Sequence, residues 1–433
     1  MKSKIGKDIY NFGQKIWPYN RSITGEGTLN TLNDIKKIIP DLKINKIKSG
    51  KKVFDWKVPD EWQIKDAYII SPKGEKICSI KKNNLHLVGY SQPINKKIKF
   101  KELNKKLYSL PNLPNAIPYK TTYYKKGWGF CITHNERNKL DKKGLYKVCI
   151  NSKIKKGFLH YGEILIKGKS KKEIFISSYI CHPSMANNEI SGPAVLTYIT
   201  KWISELKNRK YSYRIVFVPE TIGSLIYLSR NLKQMKKNIL FGYCLTCVGD
   251  EKNYSIIPTK YRDTKTDKIS LHVIKNTDSK FKIYPWEERA SDERQYCSPG
   301  IDLPVVTLCR TKPGDYKEYH TSLDKLGTVV TSRGLEGGFN LTKNCLQAIE
   351  KNFFPISTIK GEPFLSKRKL YPDVTDKSGS EIDKISRLII NMLTWCDGKN
   401  DLIDIAEKLK VPVWELYDVC SILLKNKLVK SQN

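Results

Sequence analysis

The run Ile174-Phe175-Ile176-Ser177-Ser178-Tyr179-Ile180 ends on Cys181-His182 and gives way to a polar loop that closes in Ser191-Gly192. It is β-branched and aromatic, with no Pro or Gly, so it reads as a buried strand. An apolar helix is expected over 193–206. Strand, ligand-type side chain, loop and helix make the unit from which open α/β sheets are assembled, and such sheets keep their sites at the carboxyl ends of the strands. Further strands are expected over 213–218, 239–246 and 305–309, with helices over 224–231 and 334–351. This alternation implies an α/β fold with a mostly parallel sheet flanked by helices.

Outside this region the texture changes. Residues 5–47 read as helical, broken at Trp17-Pro18 and through Thr24-Gly25-Glu26-Gly27. From 54 to about 149, short stretches such as Ala67-Tyr68-Ile69-Ile70 alternate with Asn, Pro and Gly turns, without helical periodicity. An inserted all-β subdomain is therefore expected over 51–144, leaving the α/β domain to 1–50 and 145–360. A charged, Pro-containing stretch over 355–376 reads as a linker. Beyond it, three amphipathic helices and the pair Leu428-Val429 suggest a winged-helix domain over 361–433.

The chain has 433 residues and a formal net charge of +35, from 78 Lys+Arg against 43 Asp+Glu. Such a balance can mark a nucleic-acid binder. Here the lysines are spread through strands and helices alike, with no basic tail, which points to compositional bias. The last helix of the winged module carries Trp414, Glu415 and Asp418 early and Lys425 late. A DNA-reading helix places Arg, Asn or Lys early, so specific nucleic-acid binding is not expected. Docking or homo-oligomerisation is the expected role of that module. Eleven scattered cysteines argue for reduced thiols, and Cys244-x-x-Cys247 has no partner pair. No signal peptide or membrane-spanning run is evident, so a cytoplasmic location without membrane attachment is expected. His86, His134, His160 and His272 have no metal-type spacing and are read as hydrogen-bonded structural residues. The short glycine stretch at 25–27 is too brief for a phosphate loop.

Four segments carry chemistry, in this order: His182 with Asn187-Asn188-Glu189-Ile190-Ser191-Gly192; Val218-Pro219-Glu220-Thr221-Ile222-Gly223-Ser224; Ser291-Asp292-Glu293-Arg294 through Pro304; and Tyr319-His320-Thr321-Ser322-Leu323-Asp324. Together they resemble the metal-site motifs of zinc aminopeptidases and carboxypeptidases of the bacterial leucyl aminopeptidase type. The whole chain is similar to an uncharacterised bacterial family with an aminopeptidase-like core, an inserted β subdomain and a C-terminal winged helix. Members of that family often sit with surface-polysaccharide genes. Arg21-Ser22-Ile23-Thr24-Gly25 and the segment from Glu220 to Ser224 also carry this likeness.

The resemblance implies that His182 and His320 are metal ligands and that Glu220 is the general base. The same alignment of motifs puts the bridging aspartate on Asn188, the ligand glutamate on Thr221 and a third carboxylate on Thr246. A neutral amide is a poorer partner for a dication than a carboxylate, which argues against a full two-zinc centre. Three readings stay open. One zinc ion is held by His182 and His320 with Asp292 or Glu293; or acid–base chemistry runs without metal on Glu220 and a histidine; or the pocket only binds a ligand. Arg21, Arg294 and Arg310 are candidate anchors for an anionic substrate group, since guanidinium grips carboxylates bidentately. The leading expectation is a metal-dependent amide hydrolase acting on a peptide or a small molecule such as an acylated amino-sugar. The opposing one is a catalytically silent binding protein acting through its winged helix.

Overall fold

The computed structural model describes residues 4–370 and 381–431. The chain divides into two compact units, 1–266 with 282–340 and 267–281 with 341–433. Among the described residues, no helix is long and apolar enough to cross a membrane.

The first unit is built on an eight-stranded mixed sheet. Its order is Lys43–Lys48, Phe158–Ile166, Ser212–Val218, Glu173–Tyr179, Ile239–Leu245, Val305–Cys309, Ser255–Ile257 and Lys282–Ile283. The four central strands, from Ser212–Val218 to Val305–Cys309, run parallel, and antiparallel neighbours flank them on both sides. Every residue of Glu173–Tyr179, Ser212–Val218 and Val305–Cys309 is buried. Strands covered on both faces favour apolar residues on either side, which is why the sequence shows near-continuous runs there and not alternation; the buried charges among them, Glu173 and Arg214, pair with each other.

Helices Ser191–Glu205 and Ile222–Asn238 follow the first two of these strands. Helix Ser191–Glu205 comes so close to the sheet that a Cβ on Gly192 would sit 2.7 Å from the Leu245 carbonyl oxygen. Glycine is required there by the close approach. Helix Lys4–Ile16 buries Ile9, Phe12, Gly13 and Ile16, a stripe at helical spacing. The helical reading of 5–47, broken at 17–27, holds up to Ile38 and fails after it. Helix Glu26–Ile38 stops, and Lys43–Lys48 pairs with Phe158–Ile166 as an edge strand. Its two apolar residues, Ile44 and Ile47, fall three apart, so the strand carries no period-2 signal that would set it apart from a helix.

A second sheet has four strands, in the order Lys76–Ile77, Glu61–Ile70, Leu145–Lys155, Ile94–Lys99, all antiparallel. The turn-rich segment over 105–133 loops out of it and carries only the two-stranded pair Leu107–Tyr108 and Phe130–Cys131. That segment reaches the carboxyl edge of the main sheet, where Pro118 bridges Thr321 and Tyr119 N–H donates to the His320 carbonyl at 2.8 Å.

In the second unit, helices Glu381–Thr394, Leu402–Leu409 and Leu416–Lys425 accompany the antiparallel pair Pro355–Ser357 with Val429–Ser431. Pro355–Ser357, read above as linker, is thus a strand of the winged module. Asp401 and Asp404 form a reciprocal capping box at the start of helix Leu402–Leu409. Most of helix Lys265–Lys275 also belongs to this unit, through His272. Its Nδ1 lies 2.6 Å from Glu407 Oε1, and its Nε2 accepts the Val413 N–H at 2.9 Å.

Candidate active site at the carboxyl ends of the central strands

Strand Glu173–Tyr179 lies between Ser212–Val218 and Ile239–Leu245, so the chain leaves it first to one side and later to the other. Such a reversal opens a crevice at the carboxyl ends, and the segments with ligand-type residues gather there. After Cys181-His182 the backbone makes a π-turn, Ala186–Ile190, that turns Asn187, Asn188 and Glu189 inward. Short π-helical turns are concentrated at functional sites. This one is pinned by Asp324, whose two carboxylate oxygens accept the N–H groups of Asn187 (2.8 Å) and Asn188 (3.0 Å). Burial pushes the Asp324 carboxyl up to about 6 despite these bonds.

Glu189, buried, points its Oε2 at His182 Nδ1 (3.0 Å) and its Oε1 towards Arg21 Nε (3.5 Å). Arg21 is itself buried and also donates to the carbonyls of Ile16 and His182. With Nδ1 engaged, His182 presents Nε2 to Glu220 Oε2 at 3.5 Å. Burial by itself would lower the His182 pKa, but the Glu189 hydrogen bond and the charges of Glu189 and Glu220 outweigh it and raise it. The pocket is built to keep a positive charge on or next to that imidazole.

Glu220 opens a strained turn. Thr221 has φ +64° and ψ −74°, and the Ile222 N–H bonds back to the Glu220 carbonyl at 2.8 Å. This is a γ-turn of the rare left-handed kind, centred on a β-branched residue, and strain of this sort gathers at functional sites. Asp292 holds it, since its Oδ1 accepts the Thr221 N–H (2.7 Å) and the Ser224 hydroxyl (2.8 Å). Arg294 Nη2 donates to Thr221 Oγ1 at 3.0 Å and lies 4.0 Å from Glu220 Oε1. The Glu220 N–H donates to the Cys181 sulfur at 3.2 Å. Burial, followed by the charge of Glu220, pushes the Asp292 carboxyl up to about 7.

His320 has a left-handed backbone (φ +56°), and its ring stacks on Tyr319 with centroids 3.9 Å apart. The His182 and His320 rings are 5.9 Å apart, and Tyr119 meets both edge-on at 5.2 and 5.3 Å. Burial, and then the neighbouring charge of His182, push His320 down to about 3, so its imidazole is neutral at ordinary pH.

A two-zinc centre needs charged ligands between its ions, and the donor set lacks them. Asn188, which the motif resemblance aligns with a bridging carboxylate, accepts the Tyr179 hydroxyl on its Oδ1 at 2.6 Å. The same hydroxyl lies 2.6 Å from Thr246 Oγ1. Neutral groups thus meet one another where charged ligands would face an ion. Cys181, His182 and Glu189 have ligand-type atoms within 4.8 Å of one another. Their thiol is kept protonated by burial, and Arg21 already neutralises the carboxylate. Two ions do not fit. For a single ion, His182 and His320 are the donors the site would offer, with Glu189 setting the tautomer that frees His182 Nε2 and burial keeping His320 neutral.

Several expectations are corrected in detail. Glu293 is not turned to the histidines. Its Oε1 accepts the N–H groups of Ala290 (2.7 Å) and Ser291 (3.1 Å) in the interior. Asp292 spends its Oδ1 on the Glu220 turn. Arg21 is an internal partner of Glu189 with no exposure to offer a substrate. Arg310 donates to the Asn253 carbonyl, with its guanidinium 3.7 Å over the Tyr254 ring. Only Arg294, of the three arginines, lines the cavity described next. Sequence reasoning missed Tyr179 and Glu189, although both stand in the quoted motif, and it missed Tyr119 and Tyr123 in the insert.

A cavity of about 770 Å³ opens over this floor. Cys181, His182, Glu220, Thr221, Ile222 and Arg294 belong to its lining, and most of the rest comes from Lys106 to Trp128 with Trp56. Inside it, the Tyr119 and Tyr123 hydroxyls are 2.8 Å apart.

Residues 10–352 match the family described as a domain of unknown function, DUF4910, and residues 354–431 match a winged helix-turn-helix family. A Clostridium acetobutylicum protein named for polysaccharide biosynthesis and for an aminopeptidase-like domain is 42% identical, over 99% of this chain and 97% of its own. A crystal structure from Clostridium acetobutylicum, whose name proposes a peptidase, superposes with a TM-score of 0.91 at 40% identity, covering 99% of this chain and 96% of that one. The zinc aminopeptidase of Bacillus subtilis shares the fold, with a TM-score of 0.56 at 12% identity over 79% of this chain and 94% of its own. The fold is that of the zinc aminopeptidases, followed by a winged helix, and the chain belongs to the DUF4910 family.

Proposed function

We propose that this DUF4910 member hydrolyses an amide bond in a small substrate bound over His182, with Glu220 taking the proton of the attacking water. The observation that carries this reading is the approach of Glu220 Oε2 to His182 Nε2, 3.5 Å, on the floor of a large cavity at the strand ends. A carboxylate on a turn fixed by Asp292, Cys181 and Arg294 has the geometry expected of a general base. Arg294, half-exposed beside it, would bind an anionic group of the substrate.

His182 and His320 are the side chains that would hold one zinc ion. Bound there, the ion would polarise the scissile carbonyl. Glu189 and Arg21 keep the His182 ring in place, and Tyr119, packed against both rings, excludes water from that side. A peptide or an acylated amino-sugar would present the amide, and the name of the Clostridium relative favours the sugar. The winged helix is read as a docking or dimerisation module, since Glu415 and Asp418 stand where a DNA reader needs cations.

A second reading, a silent binding protein, is favoured by the closed Tyr179–Asn188–Thr246 network. Turnover separates the two. With a panel of aminoacyl and N-acylated amino-sugar substrates, Glu220→Gln should lower the rate by about two to four decades at unchanged metal content. A Gln variant as active as the parent, or a parent inert on the whole panel with zinc added, would favour the silent protein.

A further inference from the structure

Six of the twenty-one residues lining the cavity are Trp56, Tyr108, Tyr119, Tyr123, Tyr124 and Trp128. Aromatics make up 10% of the chain, so the wall is enriched about three-fold, and the lysine-rich composition cannot account for that. Trp56 and Tyr124 are 42% and 50% exposed, and they meet edge to face at 5.9 Å. Large aromatic faces left open on a concave surface mark a ligand site. The cations stand among these rings: Lys120 Nζ lies 4.5 Å over Tyr108 and Lys106 Nζ 5.7 Å over Trp128. Lys125, Lys126 and Arg294 also line the cavity, and Glu220 is the one carboxylate among its lining residues.

Thr121, Thr122, Tyr119 and Tyr123 bring hydroxyl-bearing side chains to the same lining. Trp56 and Tyr124, inclined at 60° to one another, do not form a slot for a flat base. They offer separate faces to the C–H surfaces of successive sugar rings, while hydroxyls and ammonium groups take the sugar oxygens. An apolar peptide would offer no anion to Lys106, Lys120, Lys125 and Lys126.

We propose that the cavity takes an anionic saccharide, its rings against the aromatic wall and its acidic group, carboxylate or phosphate, on the Lys106, Lys120 and Arg294 side chains. The proposal rests on the hydrolase reading only for the place of the reacting bond. Binding is therefore measured without turnover, so that failure of one is distinguishable from failure of the other.

The full-length Glu220→Gln protein is titrated calorimetrically with trigalacturonic acid, UDP-N-acetylglucosamine, neutral triacetylchitotriose and the tripeptide Glu-Ala-Ala. One of the two anionic saccharides should bind at least about ten-fold more tightly than the neutral trisaccharide and the tripeptide. Which one wins assigns a carboxylate or a diphosphate. Adding Trp56→Ala, an exposed position that folding tolerates, should weaken it about ten-fold. Adding Lys106→Ala with Lys120→Ala should erase the preference for the charged saccharide, whereas Lys96→Ala with Lys97→Ala, on the exposed strand Ile94–Lys99, should not. Equal affinity for neutral and acidic saccharides, stronger binding of the tripeptide, no saccharide binding, or equal losses from the two lysine pairs would each overturn the proposal.

Discussion

Nδ1 of His182 lies 3.0 Å from Oε2 of Glu189, and the far oxygen of that carboxylate faces Arg21 Nε at 3.5 Å. All three side chains are buried. The ladder fixes which imidazole nitrogen looks into the cavity, as carboxylates do behind metal-binding histidines. It also explains the Arg-Ser-Ile-Thr-Gly segment at 21–25, which lies far away in sequence. Burial pushes the Glu189 carboxyl up, and the His182 hydrogen bond and charge, followed by the charge of this arginine, pull against it.

Removing that cation should therefore be severe. Arg21→Ala removes the arginine half of a buried ion pair, leaving Glu189 to His182 alone, and should lower unfolding free energy by about 3–5 kcal/mol. A urea midpoint close to that of the parent would show the pair to be dispensable. Arg21→Lys should rescue only part of the loss, because one ammonium cannot reproduce the fork that reaches Glu189 and the carbonyls of Ile16 and His182.

Zinc content tests the donor-set argument. Protein purified without chelator and dialysed should carry about one zinc per chain. His182→Ala and His320→Ala should each lose it, while Tyr179→Phe should not, since its hydroxyl serves Asn188 and Thr246. Two zinc ions per chain, by elemental analysis, would contradict the reading of Tyr179 as occupying the second ion's surroundings. Metal-free protein whose melting does not respond to zinc would remove the ion altogether.

Asp292 should behave as a positioning residue and not as a ligand. Asp292→Ala frees the Thr221 N–H and lets the strained turn relax, so kcat should fall by roughly a hundred-fold with KM and zinc content little changed. Asp292→Asn keeps an oxygen for Thr221 and Ser224 and should recover most of the rate. Loss of zinc in the alanine variant would instead make Asp292 a ligand.

The sheet and the floor of the site were legible in the sequence for one physical reason. Strands buried on both faces are largely apolar, and open α/β sheets keep their sites just past the strand ends, so Ile174–Ile180 into His182 could be read directly. What was not legible depends on long-range approach. Arg21 is a surface charge or an interior partner according to whether Glu189 lies beside it, and 168 positions separate them, which no local pattern reports. Asp292 and Glu293 look alike as neighbours, yet one holds the Glu220 turn and the other bonds to its own loop. The cavity wall was missed because the Lys106–Trp128 segment has almost no regular structure, so nothing periodic drew attention to its aromatics.

His272, read from sequence as a structural histidine, gives the second unit a pH dependence. Its Nε2 accepts the Val413 N–H, so the ring is neutral, with its proton on Nδ1 facing Glu407. Burial holds its pKa below the usual 6.5, outweighing the upward pull of Glu407 and Asp401, and Lys275 adds to the depression. The unfolded chain then binds a proton that the folded one refuses, so this contribution is complete above pH 6.5 and declines as pH falls from there towards the folded-state pKa. Hydrogen exchange of helices Leu402–Leu409 and Leu416–Lys425 should report a loss of protection between neutral pH and about pH 5.5, beyond the intrinsic rate change. His272→Gln, which accepts the same N–H without titrating, should flatten that dependence. Equal pH sensitivity in parent and variant would place the effect elsewhere.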